Sequence, residues 1–416
     1  MIETIKLNSG INMVMEKIPY VKSVSVGIWV RAGSADESDD DSGISHFIEH
    51  MMFKGTRSRS TKKIAEDVDK IGGQMNAFTG KEATCYYIKT LEANIGMAMD
   101  VLLDMFLNSV FDEEEMSKEK GVIAEEIKMI QDTPDEDIYE IICGLIFRDH
   151  PLARPVIGTQ ASVNSISRSQ VRKYIKSRYA KDSIVISVSG NFSKDRICSL
   201  IEGRLSGLEE KKTCRTFAEK SYEPAFMVKV KDIEQSHICL GTRSIRLGDD
   251  DYYAFSCMNN IIGGSMSSRL FQKIREEKGL AYSVYSMNNS FSDTGYFNIY
   301  AGVGHNKMEE AIYAIKEELA AAAKTGVTRE ELSKAKEQLK STYIFSQENV
   351  NGRMFAAGKD LTIMGKVYTD EEVISGIDAV TAGDVDRVTG MICDISRYSA
   401  AAITNRDIPL ERIVRE

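Results

Sequence analysis

Motifs from the first half of this chain return about 212–216 residues later, and that recurrence restricts its fold more than any other feature. Phe111-Asp-Glu-Glu-Glu-Met-Ser-Lys118 parallels Val327-Thr-Arg-Glu-Glu-Leu-Ser-Lys334. Val163-Asn-Ser-Ile-Ser-Arg-Ser-Gln-Val171 parallels Ile377-Asp-Ala-Val-Thr-Ala-Gly-Asp-Val385, and Met75-Asn-Ala-Phe78 parallels Met287-Asn-Asn-Ser290. A chain of 416 residues is too long for one ordinary core, and the repeat divides it into two related domains. Each half interleaves strands and helices without a strict β-α-β rhythm. The expected class is therefore α+β: two homologous domains, each a mostly antiparallel sheet covered by helices. The stretch before Pro224 is polar and charged, so the expected boundaries are 1–207, a linker at 208–224, and 225–416.

The first half reads in order as follows. Asn12–Glu16 and Ser23–Arg31 alternate with β-branched residues and predict two antiparallel strands. Gly33 to Ser42 is an acidic stretch expected to be a solvated loop. A helix over Thr61–Ile71 starts at a Ser60 or Thr61 cap. Gly72 to Lys89 predicts a strand, a turn at Thr79-Gly80 and a second strand. Helices follow at Ile95–Leu107 and from Asp112 to about Gln131, where Asp132-Thr133-Pro134 stops the second, because proline cannot continue a helix. A helix at Ser169–Tyr179 and a strand at Ser183–Ser189 complete the half.

Chemically the two copies differ. The segment Gly43 to Thr56 contains His46-Phe47-Ile48-Glu49-His50, an H-x-x-E-H pattern. On a helix, positions i and i+4 share a face with i+3 beside them, so His46 and His50 can point at one metal with Glu49 adjacent. Imidazole suits zinc, a catalytic zinc takes three protein ligands, and a neighbouring carboxylate can take a proton from water. The chain has five histidines, and two of them fall at this spacing around a glutamate. The corresponding place in the second half, near Met258 to Ile262, has neither histidine nor glutamate. Only the first half can hold the metal.

The third ligand must come from elsewhere. The helix from Asp112 offers Glu119, Glu125 and Glu126. Glu119 and Glu126 are two turns apart and share a face, whereas Glu125 lies about 100° away, toward solvent. Their counterparts, Ala335 and Thr342, carry no charge.

Composition excludes other classes. Net charge is −9, which argues against a nucleic-acid partner. No apolar run is long enough to span a membrane, and the N-terminus has no basic-then-apolar pattern of a signal peptide. Seven scattered cysteines with no C-x-x-C fit reduced thiols, so a cytoplasmic location is expected.

Together these features resemble the pitrilysin family of zinc peptidases, closest to the mitochondrial processing peptidase and its bacterial homologues. That family follows H-x-x-E-H with a glutamate ligand about 76 residues later, and Glu126 lies 76 positions after His50. The resemblance implies one Zn2+ per chain, bound by His46, His50 and Glu126, with Glu49 as general base and Glu119 supporting the site. The family also has an arginine and a tyrosine seven residues apart in a segment like Ser268 to Tyr282. This implies Arg275 and Tyr282 as substrate-backbone and oxyanion contacts. Asn76, Ala77 and Phe78 match its edge strand, where a substrate strand adds to the sheet.

The implied activity is a zinc-dependent endopeptidase acting on extended or unfolded peptides. Members of the family enclose substrate between two halves of two domains each. A single chain of this length supplies one half, so the resemblance implies a homodimer with Arg275 and Tyr282 supplied in trans. The alternatives are a non-catalytic scaffold or assembly subunit of the same family, and a metal-dependent hydrolase of another bond.

Overall fold

The structure, a computed structural model, describes residues 2–210 and 221–416, so most of the expected linker at 208–224 lies outside the described residues. Among those described, the first sheet has six strands: β1 (Ile2–Lys6), β2 (Asn12–Lys17), β3 (Ser23–Val30), β4 (Gln74–Thr79), β5 (Thr84–Leu91) and β6 (Ile184–Gly190). Their order is β1-β2-β6-β3-β5-β4. The second has five: β7 (Phe226–Val230), β8 (Ser236–Ser244), β9 (Ala281–Ser290), β10 (Gly295–Val303) and β11 (Ser399–Thr404), in the order β7-β11-β8-β10-β9.

The second order repeats the first with β1 removed. β2 and β6 pair in parallel, as do β7 and β11, and every other pair is antiparallel. The mostly antiparallel, twofold-repeated α+β architecture is therefore present. One expectation is corrected. β2 and β3 are not neighbours, because β6 inserts between them, parallel to β2 and antiparallel to β3. All seven residues of β6 are buried, and a strand covered on both faces is stabilised most in the middle of a sheet.

The helices that matter here are α1 (Ile44–Met52), α2 (Thr61–Lys70), α3 (Ile95–Asn108), α4 (Glu113–Asp132) and α5 (Pro134–Phe147). Pro134 does end α4, but it also opens α5 at a first-turn position, where a missing N–H costs nothing.

The two compact units do not follow the boundary expected at 208–224. α5, from the first half of the sequence, packs on β8 and β11 of the second sheet. The helix Val350–Met364, from the second half, packs on β2, β3 and β6 of the first. Each stripe must be buried somewhere, and a glycine opens the place. A Cβ on Gly241 of β8 would lie 2.8 Å from Ile146 of α5, and one on Gly27 of β3 would lie 2.5 Å from Met354. These glycines are 214 residues apart, the spacing of the repeat.

The seat of the Val350–Met364 helix is tight. A Cβ on Gly358 would fall 2.1 Å from Trp29 Nε1, and the Trp29 ring is buried and donates to Ser187 Oγ at 3.0 Å. Gly358→Ala is therefore expected to destabilise the chain by about 1–3 kcal/mol through overpacking. Chemical denaturation would measure this, and an unchanged midpoint would refute it. No helix among the described residues is long and apolar enough to cross a membrane.

Candidate metal centre

α1 exists because its apolar positions recur at helical spacing. Ile44, Phe47, Ile48, Met51 and Met52 are buried, leaving His46, Glu49 and His50 on another face. Its start is closely specified. Gly43 takes φ +88, where a side chain would be strained, and a Cβ there would meet the Ile157 carbonyl at 2.7 Å. Glu37 then accepts from the N–H groups of Gly43 (2.7 Å) and Ser45 (2.8 Å).

This corrects the expectation for the acidic stretch. Asp39, Asp40 and Asp41 do sit in a short turn with no buried residue, but Asp36 and Glu37 are buried. Burial raises the Glu37 carboxyl to about 7 against the opposing effect of its backbone donors. Its buried position had no signal in an otherwise uniform acidic run.

Glu126 of α4 meets both histidines. His46 Nε2 lies 3.8 Å from Glu126 Oε1, and His50 Nε2 lies 3.6 Å from Glu126 Oε2. The three ligand atoms fall within 4.8 Å of one another. A tetrahedral zinc with bonds of about 2.1 Å separates its ligands by about 3.4 Å, so this donor set fits such an ion with small side-chain adjustments. Burial, then the neighbouring His50, lowers His46 to about 4, so it is neutral with a lone pair to give.

Glu119 sits behind His50. Its Oε1 is 2.8 Å from His50 Nδ1 and its Oε2 is 2.6 Å from Lys54 Nζ. Burial pulls the His50 imidazole down, but the Glu119 hydrogen bond and the surrounding carboxylates carry it above its usual value. Holding Nδ1–H on a carboxylate leaves Nε2 facing Glu126, the usual way a metal-binding imidazole is oriented. Glu119→Ala is expected to weaken zinc binding about 10- to 100-fold, as loss of such a support does elsewhere. Competition with a chelator measures this, and an unchanged affinity would remove the positioning role. Glu125, by contrast, is exposed and pairs with Lys128 at 2.6 Å.

Glu49 points beside this group. Thr79 Oγ1 donates to its Oε2, and burial holds its carboxyl above the ordinary range despite that bond. Thr79 and Lys54 were not singled out from sequence. Thr79 had a detectable signal, since it is two residues beyond Ala77 and so on the same strand face.

Asn76, Ala77 and Phe78 lie on β4, which among the described residues pairs only with β5 and ends the sheet. Ala77 is buried while Asn76 and Phe78 are exposed. The Ala77 N–H is held by the Asn76 Oδ1 at 2.9 Å. Phe78 stands edge-on to Trp29 and Phe355, with ring centroids at 5.5 and 5.6 Å. Arg275 and Tyr282 belong to the unit built on the second sheet. Arg275 lies in a π-helical segment, Phe271–Glu277, with its guanidinium 5.3 Å from the centre of the exposed Tyr282 ring.

Comparison with known proteins gives the family. Residues 12–160 match the model of the insulinase family (peptidase family M16), and residues 165–339 match that of the peptidase M16 inactive domain. The chain is 41% identical over 391 residues to the uncharacterized zinc protease YmxG of Bacillus subtilis, covering 94% of this chain and 95% of that protein. It is 36% identical over 406 residues to an uncharacterized zinc protease of Mycobacterium leprae, covering 95% and 90%. Its fold is similar to a peptidase M16 inactive domain from Pseudomonas fluorescens (TM-score 0.91, 18% identity, 98% of each chain). It is also similar to a protease from Helicobacter pylori (TM-score 0.87, 21% identity, 97% and 99%).

Proposed function

The chain belongs to peptidase family M16, the insulinase or pitrilysin family, and on that premise we propose that it is a zinc-dependent endopeptidase acting on extended peptides. The observation that carries this reading is the convergence of His46, His50 and Glu126, with Glu49 beside them, in the half of the repeat that alone has these groups.

A zinc ion held there would act as a Lewis acid, polarising the scissile carbonyl and acidifying the attacking water. Glu49 accepts the proton of that water and returns it to the leaving nitrogen, which is the work of a general base that becomes a general acid. Thr79 holds one oxygen of Glu49 and so aims the other. Glu119 fixes the ring of His50. β4 offers a free edge, where Ala77 takes the substrate backbone once Asn76 releases its N–H. The exposed Tyr282 and the half-buried Arg275 support the developing oxyanion of a partner chain in a homodimer.

The test is zinc content together with cleavage of a quenched, mixed-sequence peptide long enough to lie along a strand. One zinc per chain, with activity removed by chelation and restored by zinc, is the expected result. A chain that neither binds zinc nor cleaves would be a scaffold.

A further inference from the structure

Away from the metal centre, the first unit carries a concentration of positive charge that an acidic chain does not lead one to expect. The helix Arg168–Arg178 holds Arg168, Arg172, Lys173, Lys176 and Arg178 and no acidic residue, in a chain of net charge −9. Arg168, Arg172 and Lys176 follow one another at i, i+4 and i+8 and form a single stripe, an arrangement that costs stability through like-charge repulsion. Two of the five cations are compensated: Arg178 lies 3.6 Å from Asp36 Oδ1, and Lys176 lies 3.5 Å from Glu209. Among the described residues, Arg168 and Arg172 make no ion pair.

These two arginines share a cavity of about 500 Å³ with a third, Arg57, from the loop that follows α1. The remaining lining is Ser109, Val110, Phe111, Ile175 and Lys176, so it includes no carboxylate. Arg57, like the other two, pairs with no acid among the described residues. Arg168 donates from Nη2 to the Val110 carbonyl at 2.8 Å, yet its Nε is buried with no acceptor. A buried donor left unpaired is costly and is normally met by something. Phe111 is held at φ +50, the one non-glycine residue with positive φ among those described, and is buried beside the cavity.

We propose that this cavity binds a phosphate monoester with an apolar or aromatic body. Three guanidinium groups suit the several oxygens of a dianion, because each offers a planar fork of donors that matches phosphate geometry. Val110, Phe111 and Ile175 supply an apolar wall that an inorganic ion would leave unused. The volume is in the range of small-molecule sites and too large for a phosphate group alone. The occupant would also rest against the segment behind the metal helix, since Arg57 N–H donates to the Asn108 carbonyl and Ser109 Oγ to the Met52 carbonyl at the end of α1.

Calorimetric titration of the full chain with phenyl phosphate tests this. Saturable binding at one site per chain is expected, with phenol not binding and inorganic phosphate binding more weakly. Arg57→Ala and the double variant Arg168→Ala/Arg172→Ala should each weaken it at least about tenfold, the scale of one lost charge-assisted hydrogen bond. Arg57 is exposed, so that variant keeps the test decisive if the double variant unfolds. The same titration in His50→Ala identifies the location: binding retained there supports the cavity, and binding lost there assigns the phosphate to the metal centre and overturns the proposal. Absence of saturable binding in the wild type, or wild-type affinity in Arg57→Ala, overturns it as well.

Discussion

Glu49→Gln is expected to lower kcat/KM for peptide cleavage by about 10³-fold while zinc content stays at the wild-type level. The amide has the same shape and can still accept from Thr79, but it cannot take a proton. Proton transfer by a positioned side chain contributes roughly 10²- to 10⁴-fold, and here the same group would serve both water and leaving amine. Zinc should remain because Glu49 is not among His46, His50 and Glu126. Activity within about tenfold of wild type would place the base elsewhere, since it would fall below that range. Loss of zinc together with activity would make Glu49 a structural member of the site instead.

Arg275→Ala is expected to cost about 10²-fold, the effect of removing one preorganised donor from a developing oxyanion. The more informative experiment mixes it with Glu49→Gln. If Arg275 serves the partner chain, a mixed dimer carries one site with both groups intact. Random pairing then makes half the dimers mixed, each with one working site of two, and activity recovers to roughly a quarter of wild type. No recovery from subunits shown to exchange would place Arg275 in the same chain as the Glu49 it serves, and an active monomer would remove the dimer from the mechanism. Arg275 and Tyr282 are already neighbours, 5.3 Å from guanidinium to ring centre, and the segment that carries Arg275 winds as a π-helix, an irregular form found often at functional sites.

The parts of this protein that were legible in its sequence are those governed by local periodicity. His46, Glu49 and His50 share a region of α1 because the helix turns every 3.6 residues, which no distant contact can alter. β4 and β5, the limits of α2 and α4 and the twofold repeat follow from alternation, capping and proline in the same way. The choice of Glu126 as the candidate third ligand was less local: the residues alone left Glu119 and Glu126 on one face, and only resemblance separated them. The structure gives each a distinct place, Glu126 between the two imidazoles and Glu119 between His50 and Lys54.

What the tertiary structure alone decided is which surfaces meet. The apolar stripe of α5 reads the same whether it covers the first sheet or the second, and Gly241 makes room for it on β8. β6 enters between β2 and β3 because a strand buried along its whole length is most stable at the centre of a sheet, a preference invisible in two strands read alone. Glu37 looks like the exposed Asp39 and Asp40 until the backbone of Gly43 and Ser45 is brought to it. In each case the sequence specifies a face with something to bury or a charge to satisfy, and the partner that satisfies it is set by packing between residues far apart in the chain.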